Sequence, residues 1–587
     1  MNLLDSRRLT GPNLFLDRPG AAIEVALSPE EASQAVMVWT AQARRMLEAV
    51  GWGDEEVVAR LFPGGASLAI SAPIDGLYAA TDLADWAWFA TEDVMAGRRE
   101  PDVSKAKELL REEIAREANP ALLALRDAAA ARGVAFLADD RVASVGLGTG
   151  SRSWPVEALP HPEEIDWNGV HDIPVLLVTG TNGKTTTVRL LAAMVDAAER
   201  MAGVTSTDRI EVGGEVIEPG DFSGPGGART LLRDRRVEVA ILETARGGLL
   251  RRGLAVSRAD AALVTNIAAD HLGEFGIHDL PSLAAAKLVV ARAVGPRGRI
   301  VLNADDPELV AAAGRLQAPI VWFSLEAENP RVRQALAAGE EAVYLEAGFL
   351  VLARGGERIQ VIRPEEAPVT FGGAARHNIA NALAAIALAA AIGIPPEDMA
   401  KGLRRIGNNP RDNPGRANLF ERDGVRVLLD YAHNPHGLAA LLEVARSFTA
   451  ERRLLVLGQA GDRDDEALRD FARAALPFEA DRVVVKEIAE MLRGRPEGEV
   501  PAILEGELLR LGVSPERLGR AASELEAVEQ ALAWARPGDL LILLVHSQRD
   551  AVLEVLRGWA GGKNTDEQGR TGTDRDEHAR DLKRGLP

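Results

Sequence analysis

The sequence predicts a multidomain α/β protein. From about residue 174 to residue 370, short apolar runs alternate with helical stretches, a pattern typical of a mostly parallel sheet flanked by helices. A shorter alternation of the same kind follows a linker rich in Pro and Asn at 408–415. Within the first alternation, a glycine turn separates an apolar strand from a helix, as in phosphate-binding loops. We therefore expect a central phosphate-loop domain, a smaller Rossmann-like C-terminal domain and a separate N-terminal α/β unit.

A chain of 587 residues is long enough for three or four domains. Changes in composition and turn signals place the boundaries. The expected parts are an N-terminal domain at 1–150, a linker at 151–173, the central domain at 174–407, the C-terminal domain at 408–560 and a disordered tail at 561–587.

Composition narrows the classes of function. The formal net charge of −19 argues against a general nucleic-acid binder, although a local basic patch is compatible with it. The chain has no cysteine, which excludes disulfides, thiolate zinc sites and cysteine nucleophiles and agrees with a reducing cytoplasm. No run approaches the roughly 18 apolar residues that span a bilayer. We expect a cytoplasmic protein with no membrane or nucleic-acid partner. The sequence leaves open whether the protein forms a homo-oligomer.

The phosphate loop is Gly180, Thr181, Asn182, Gly183, Lys184, Thr185 and Thr186, between the strand 175–178 and the helix 188–199. A standard loop has its first glycine at the position of Val178, so this is a shortened Gly-x-x-Gly-Lys-Thr form. Backbone N–H groups of such a turn cradle phosphate, the lysine supplies charge and the threonine a hydroxyl for magnesium. The expected cofactors are ATP and Mg²⁺.

Four motifs resemble the Mur ligase family, in which ATP drives amide-bond formation. They are the phosphate loop, Asp270-His271, His377-Asn378 and the run Asp430-Tyr431-Ala432-His433-Asn434-Pro435. The segments 205–208 and 243–248 look most like the Mur-type half of cyanophycin synthetases. Residues 7–13 and 145–148 resemble the opening of those enzymes and the entry to their ATP-grasp domain. The phosphate loop follows so soon that an ATP-grasp domain has no room.

The resemblance implies roles for individual residues. Lys184, Glu243, His271, Lys287 and Arg416 would be catalytic, and Thr185, Glu243, His271 and Lys287 would hold magnesium. Lys287 would be the lysine that several family members carbamylate. Asn378 would approach the adenine, Arg416 the γ-phosphate and Asp430 the ribose or phosphates. Carboxylate oxygens suit Mg²⁺ better than an imidazole does, so the expectation that His271 binds magnesium depends on the resemblance rather than on the chemistry of its side chain.

The resemblance to the cyanophycin synthetases also implies substrate contacts. Arg229 and Arg246 would clamp an acidic acceptor, since a guanidinium matches a carboxylate. His433 would shape the loop or the amine site rather than act as a base, and Asp462 and Asp464 would face an incoming cationic amino acid.

The resulting hypothesis is an ATP-dependent carbon–nitrogen ligase that activates an acidic amino acid or peptide as an acyl phosphate and joins it to an amino acid, in the manner of a cyanophycin synthetase. Two alternatives remain at this stage. One is a ligase like folylpolyglutamate synthetase, which the N-terminal unit and the segments 221–230 and 243–248 fit poorly. The other is a non-catalytic ATP-binding partner of a cyanophycin-type synthetase, favoured by the missing ATP-grasp domain.

Overall fold

The computed structural model describes residues 1–99 and 101–561. The predicted tail, apart from Gly561, lies outside these residues. Helices and strands alternate along the described chain, and the predicted α/β fold class is confirmed. No described helix is both long and apolar enough to cross a lipid bilayer.

The N-terminal part is a four-stranded antiparallel sheet in the order β1-β2-β4-β3, covered by helices. The first helix begins at Pro29, and the Glu31 side chain accepts the Ser28 N–H at its start (3.3 Å). Trp39 and Trp88 are fully buried beneath the sheet. The elements are β1 (Asn2–Leu9), β2 (Gly20–Ala26), α1 (Pro29–Val50), β3 (Val57–Phe62), β4 (Gly65–Ser71), α2 (Leu77–Met95), α3 (Val103–Glu117) and α4 (Pro120–Ala131).

A small antiparallel sheet follows, in the order β5-β6-β7. Its third strand lies inside 151–173, the segment predicted to be a linker, so this segment contributes regular structure. The strands are β5 (Phe136–Ala138), β6 (Val142–Val145) and β7 (Arg152–Pro155).

The central part is an eleven-stranded sheet in the order β11-β10-β9-β12-β8-β13-β14-β15-β16-β17-β18. The seven strands from β9 to β16 in this order are parallel, and the two strands at each edge are antiparallel. Buried apolar side chains line both faces, as parallel strands between helices require. The elements are β8 (Val175–Thr179), α5 (Lys184–Ala197), β9 (Ala202–Thr205), β10 (Arg209–Val212), β11 (Glu215–Pro219), α6 (Pro225–Leu232), β12 (Val239–Glu243), α7 (Arg246–Arg252), β13 (Ala259–Val264), α8 (Leu280–Lys287), β14 (Val294–Asn303), α9 (Pro307–Ala312), β15 (Ile320–Ser324), α10 (Pro330–Ala337), β16 (Ala342–Glu346), β17 (Phe349–Arg354), β18 (Glu357–Ile362), α11 (Arg376–Ala391) and α12 (Pro396–Arg405).

The C-terminal part has a six-stranded sheet in the order β19-β20-β24-β21-β22-β23, parallel except for β19. The elements are β19 (Asn418–Arg422), β20 (Val425–Asp430), α13 (Pro435–Arg446), β21 (Arg453–Leu457), α14 (Asp465–Ala475), β22 (Arg482–Lys486), α15 (Glu499–Arg510), β23 (Leu518–Ala521), α16 (Glu524–Trp534), β24 (Leu540–Leu544) and α17 (Arg549–Trp559).

The chain divides into two compact units. The first comprises Met1–Arg416 together with Asn434–Ser447, and the second comprises Ala417–His433 and the chain from Phe448 onward. Helix α13 therefore belongs to the first unit, although it follows a strand of the second.

Candidate active site

The phosphate loop is fixed by the strand beside it. The loop begins where β8 ends, and the neighbouring parallel strand β13 ends next to it. The Thr265 hydroxyl donates to the carbonyl of Asn182 (2.6 Å), and Asn266 Oδ1 accepts the Asn182 N–H (3.0 Å). The loop is thus held by residues at the carboxyl end of the adjacent strand, where ligands of open α/β sheets bind.

Two loop positions accept only glycine. Gly180 has φ +140°, and a Cβ there would lie 1.8 Å from the Thr265 hydroxyl oxygen. Gly183 has φ +87°, and its Cβ would lie 2.2 Å from Asn381 Oδ1 on α11. Both the backbone conformation and the space exclude a side chain.

A buried carboxylate stands beside the loop. Glu243, the last residue of β12, is 2% exposed, and its Oε2 accepts the Thr185 hydroxyl (2.9 Å). Its Oε1 has no hydrogen-bond partner among the described residues. Burial raises the pKa of Glu243, against the attraction of Lys184.

These oxygens fit a magnesium ion. Mg²⁺ binds carboxylate and hydroxyl oxygens and keeps several waters, so it needs few protein ligands. The unpartnered Glu243 Oε1 and the Thr185 hydroxyl offer such ligands. Within the described chain, no three His, Cys, Asp or Glu side chains are grouped so that they could hold a metal by themselves.

His271 lies in the loop after β13 with φ +51°. Its side chain is 38% exposed, its Nε2 is 3.9 Å from Asp270 Oδ1, and its carbonyl accepts from Arg246 (2.5 Å). The backbone of His271 is therefore tied to α7, while its imidazole stands partly in solvent.

Two lysines converge on one carbonyl of the loop. Lys184 Nζ donates to the carbonyls of Gly180 and Thr181, both at 3.0 Å. Lys287, the last residue of α8, is 4% exposed, and its Nζ donates to the same Gly180 carbonyl at 2.9 Å. Burial, followed by the repulsion of Lys184, lowers the pKa of Lys287 well below its ordinary value. A neutral amine is thereby favoured at this position.

Arg416 acts on the same site electrostatically. It lowers the pKa of Glu243 and also that of Arg189 on α5. Arg189 is 8% exposed, pairs with Asp208 (2.5 Å) and donates to Asn413 (2.6 Å). Burial lowers the pKa of Arg189 to about 10. Arg416 therefore acts on charged groups beside the loop, and its contact with the γ-phosphate stays a prediction.

The loop also contacts the start of α13. The side chains of Asn182 and Asn434 exchange two hydrogen bonds, of 3.1 and 3.0 Å. Asn434 Oδ1 also accepts the Gly437 N–H (2.8 Å) and so caps α13. The predicted motif at 430–435 therefore reaches the phosphate loop through Asn434, within the first unit.

Asn378, the predicted adenine contact, is 4% exposed on α11. Its amide donates to the carbonyl of Val369 (2.8 Å), and its Oδ1 accepts from Asn381 (3.0 Å). These two bonds give Asn378 a structural role at the start of the helix. The adenine contact stays a prediction.

In the second unit, Asp430 ends β20 and organises the turn after it. Its two oxygens accept the N–H groups of Ala417 and Ala432, each at 2.7 Å. The rings of Tyr431 and His433 lie 5.3 Å apart. The nucleotide and amine roles of Asp430 and His433 stay predictions.

A buried charged cluster supports that turn. Lys486 and Glu524 form an ion pair in which both side chains are at most 1% exposed. Glu524 also accepts the N–H groups of His546, Ser547 and Gln548 at 2.7, 2.9 and 2.7 Å. His546 Nε2 is 3.1 Å from the carbonyl of Ala432. Burial raises the pKa of the Glu524 carboxylate, yet its hydrogen bond with His546 and the attraction of Lys486 lower that pKa overall.

The remaining predicted substrate residues belong to both units, two to each. Asp464 caps α14 by accepting the Ala467 N–H (2.8 Å), and Asp462 is exposed. Arg246 donates to the loop after β13, whereas Arg229 donates to Thr10 Oγ1 (2.8 Å) near the N-terminus. The two arginines donate to different segments, and their role toward an acidic acceptor stays a prediction.

Sequence reasoning missed several residues of the site. Thr265 and Asn266 directly follow the apolar strand β13, so their position could have indicated them. Arg189 lies on the helix after the loop, and in the sequence it looks like an ordinary charged residue on the solvated face of a helix. Asn182 is in the predicted loop, but nothing in the sequence indicates that its side chain pairs with Asn434.

Comparison with known proteins gives the family to which the chain belongs. Residues 178–389 match the Mur ligase middle domain, and residues 415–544 match the Mur ligase, glutamate ligase domain. The UDP-N-acetylmuramoyl-L-alanyl-D-glutamate-2,6-diaminopimelate ligase of Gloeobacter violaceus is 31% identical over 382 residues, which are 64% of this chain and 72% of the relative. The chain belongs to the Mur ligase family.

A particular relative within that class is the cyanophycin synthetase of Trichormus variabilis. It is 39% identical over 388 residues, which are 66% of this chain and 43% of the relative. The chain thus spans less than half the length of this synthetase. Among solved structures, Escherichia coli FolC in complex with DHPP and ADP aligns with a TM-score of 0.49 and 20% identity, over 67% of this chain and 89% of that one.

Proposed function

We propose that the protein is an ATP-dependent amide ligase that forms ADP. The observation that carries this is the buried Glu243 beside the phosphate loop, bonded to Thr185 through one oxygen and left with the other oxygen unpartnered. A carboxylate in that position would bind a divalent ion at the phosphates of a nucleotide. Membership of the Mur ligase family agrees with this chemistry.

In the proposed reaction, a substrate carboxylate oxygen attacks the γ-phosphorus of ATP and ADP leaves. An amine then attacks the acyl carbon of the resulting acyl phosphate, loses a proton and displaces inorganic phosphate. Bound magnesium would neutralise the charge of the phosphates. Glu243 and Thr185 would hold it, with His271 and a carbamylated Lys287 as further proposed ligands.

The residues of the loop would bind and orient the phosphates. The helix α5 begins at Lys184, so its free N–H groups face the loop. Lys184 Nζ now donates to two loop carbonyls, and a phosphate oxygen would take over those donors. Arg416 would add positive charge where the transferred phosphoryl group develops negative charge. Asn378 and Asp430 remain the proposed contacts for adenine and ribose.

For the substrates we propose an acidic amino acid or peptide, such as an aspartyl peptide, as acceptor and an amino acid such as arginine as amine. This finer proposal is supported by the 39% identity to a cyanophycin synthetase.

The test measures phosphate release from ATP and magnesium. Aspartate, glutamate, short β-aspartyl peptides and cyanophycin fragments are crossed against the common amino acids, and products are identified by mass spectrometry. Lys184→Ala is the inactive variant, and Thr187→Val, which loses only a hydroxyl bonded to the Gly183 carbonyl of its own helix, is the matched control. A product one amino-acid residue heavier, made by the control and not by Lys184→Ala, supports the ligase. ATP binding with no turnover across the matrix would contradict it and favour a non-catalytic partner.

A further inference from the structure

A cleft of about 1520 Å³ lies in the first unit, away from the phosphate loop. Val175 and Ala259, the first residues of β8 and β13, line it together with the N-terminal segment 10–12. The phosphate loop follows the opposite end of β8, and five strand residues span roughly 15 Å. Among the described residues, no phosphate-loop residue lines the cleft, and neither does Glu243.

Arginine side chains gather around Thr10 at this cleft. Arg229 Nη2 donates to Thr10 Oγ1 (2.8 Å), and Thr10 N donates to the carbonyl of Arg252 (2.7 Å). Arg252 Nη1 in turn donates to the carbonyl of Arg8 (3.2 Å). Of these three guanidinium groups, only that of Arg8 is paired with a carboxylate, Asp140 at 3.0 Å.

Arg229 is the most unusual of the three. It is 7% exposed, and within the described chain its guanidinium forms no ion pair and bonds only to the neutral oxygens of Thr10. Burial lowers its pKa to about 10, against the attraction of Asp139. A buried cation without an anionic partner is costly to the fold, and a bound anion would offset that cost.

The acidic side chains of the cleft do not supply that anion, because each already has a partner. Asp139 pairs with Arg233 (2.5 Å), Asp172 accepts the Ala135 N–H (3.0 Å), and Asp260 accepts the Val175 N–H (2.8 Å). The other acidic side chains lining the cleft likewise contact arginines or backbone N–H groups. Positive charge therefore remains available at one end of the cleft.

We propose that this cleft binds a small oxyanion ligand, with Arg229 and Arg252 donating to its carboxylate or phosphate oxygens. Guanidinium forks match the geometry of both groups. The bound group is not the carboxylate that reacts with ATP, since that one must reach the phosphate loop. The cleft is thus a second site, independent of the ligase reaction proposed above.

The test titrates citrate, as carboxylate probe, and inorganic pyrophosphate, as phosphate probe, into the full chain by calorimetry. The parent protein carries Lys184→Ala, so that binding at the phosphate loop does not obscure the result. Arg229→Gln and Arg252→Gln are compared with Arg236→Gln, which removes an exposed guanidinium paired with Asp234 and Glu215.

We expect the dissociation constant of at least one probe to rise about tenfold or more in each cleft variant and to stay unchanged in Arg236→Gln. The probe bound more tightly tells whether the ligand carries carboxylate or phosphate. Arg252 is exposed on its helix, so its variant remains informative even where Arg229→Gln fails to fold. Absence of binding to the parent, or equal binding by parent and Arg252→Gln, would overturn the proposal. Failure of the ligase assay would leave this result unaffected.

Discussion

Replacing Thr185 by valine tests the link between the phosphate loop and Glu243. The Thr185 hydroxyl is the hydrogen-bond donor to Glu243 Oε2 at 2.9 Å, and Oε1 has no partner among the described residues. Valine keeps the shape and removes the donor, so a carboxylate that is 2% exposed loses this bond. A hydrogen bond to a charged group is worth about 1.5–3 kcal/mol.

In this large unit we expect the melting temperature to fall by about 2–3 °C. Differential scanning calorimetry at pH 7 without nucleotide measures the change. Removing both polar partners together is much less costly than removing one, so Thr185→Val/Glu243→Leu should recover at least half of the loss.

Thr187→Val is the control for this experiment. Thr187 lies on the same helix, is fully buried, and its hydroxyl bonds only to the carbonyl four residues back, at 2.8 Å. Its loss should cost less than about 1 kcal/mol. Equal shifts for the two threonine variants, or additive effects in the double variant, would refute the account of Glu243 as a buried carboxylate that depends on Thr185.

Three further outcomes are expected. Gly180→Ala forces φ +140° on a residue with a side chain and brings its Cβ to 1.8 Å from the Thr265 hydroxyl, so ATP binding measured by calorimetry should be lost. The double variant Gly180→Ala/Thr265→Ala removes the overlap but not the backbone strain, so it should recover ATP binding only in part. Asn434→Asp keeps the helix cap but removes the donor to Asn182, so its melting temperature should lie between those of wild type and Asn434→Ala; equal values for both variants would argue against the amide pair. Glu524→Gln should cost about 3 kcal/mol at pH 7, because it leaves a buried lysine cation uncompensated. Because the folded pKa of Glu524 is lowered, the stabilisation from its carboxylate is present above the unfolded pKa of about 4.3 and is lost as the pH falls below that value. The free energy of unfolding of Glu524→Gln, measured with urea, should therefore depend less on pH in that acid range than the free energy of wild type. Parallel pH profiles for the two proteins would contradict this.

Much of the fold could be predicted from the sequence because it is written in local patterns. The central strands at 175–179 and 320–324 and the C-terminal strand at 453–457 are apolar runs next to turn residues, so a local pattern indicates each of them. The helix from Pro29 to Val50 carries its start signal in Ser28 and Glu31. Edge strands such as β10 and β11 lack a continuous apolar run and escaped prediction.

The phosphate loop could be predicted for the same reason. Its glycines, lysine and threonine are contiguous, and its chemistry depends on backbone N–H groups and nearby side chains. Glu243 could be predicted only as a polar residue after a strand. Its burial, its bond to Thr185 and its unpartnered oxygen follow from parallel strands that bring residues 58 positions apart to the same edge of the sheet.

The sequence by itself determined the class of fold, the phosphate loop and the order of the charged motifs, because each depends on residues close together in the chain. The tertiary structure alone decided which charges meet. It joined Asn182 to Asn434, 252 positions away, and it set Arg229 against Thr10, 219 positions away. Burial and pairing of charges depend on contacts between distant segments, and no local pattern records them.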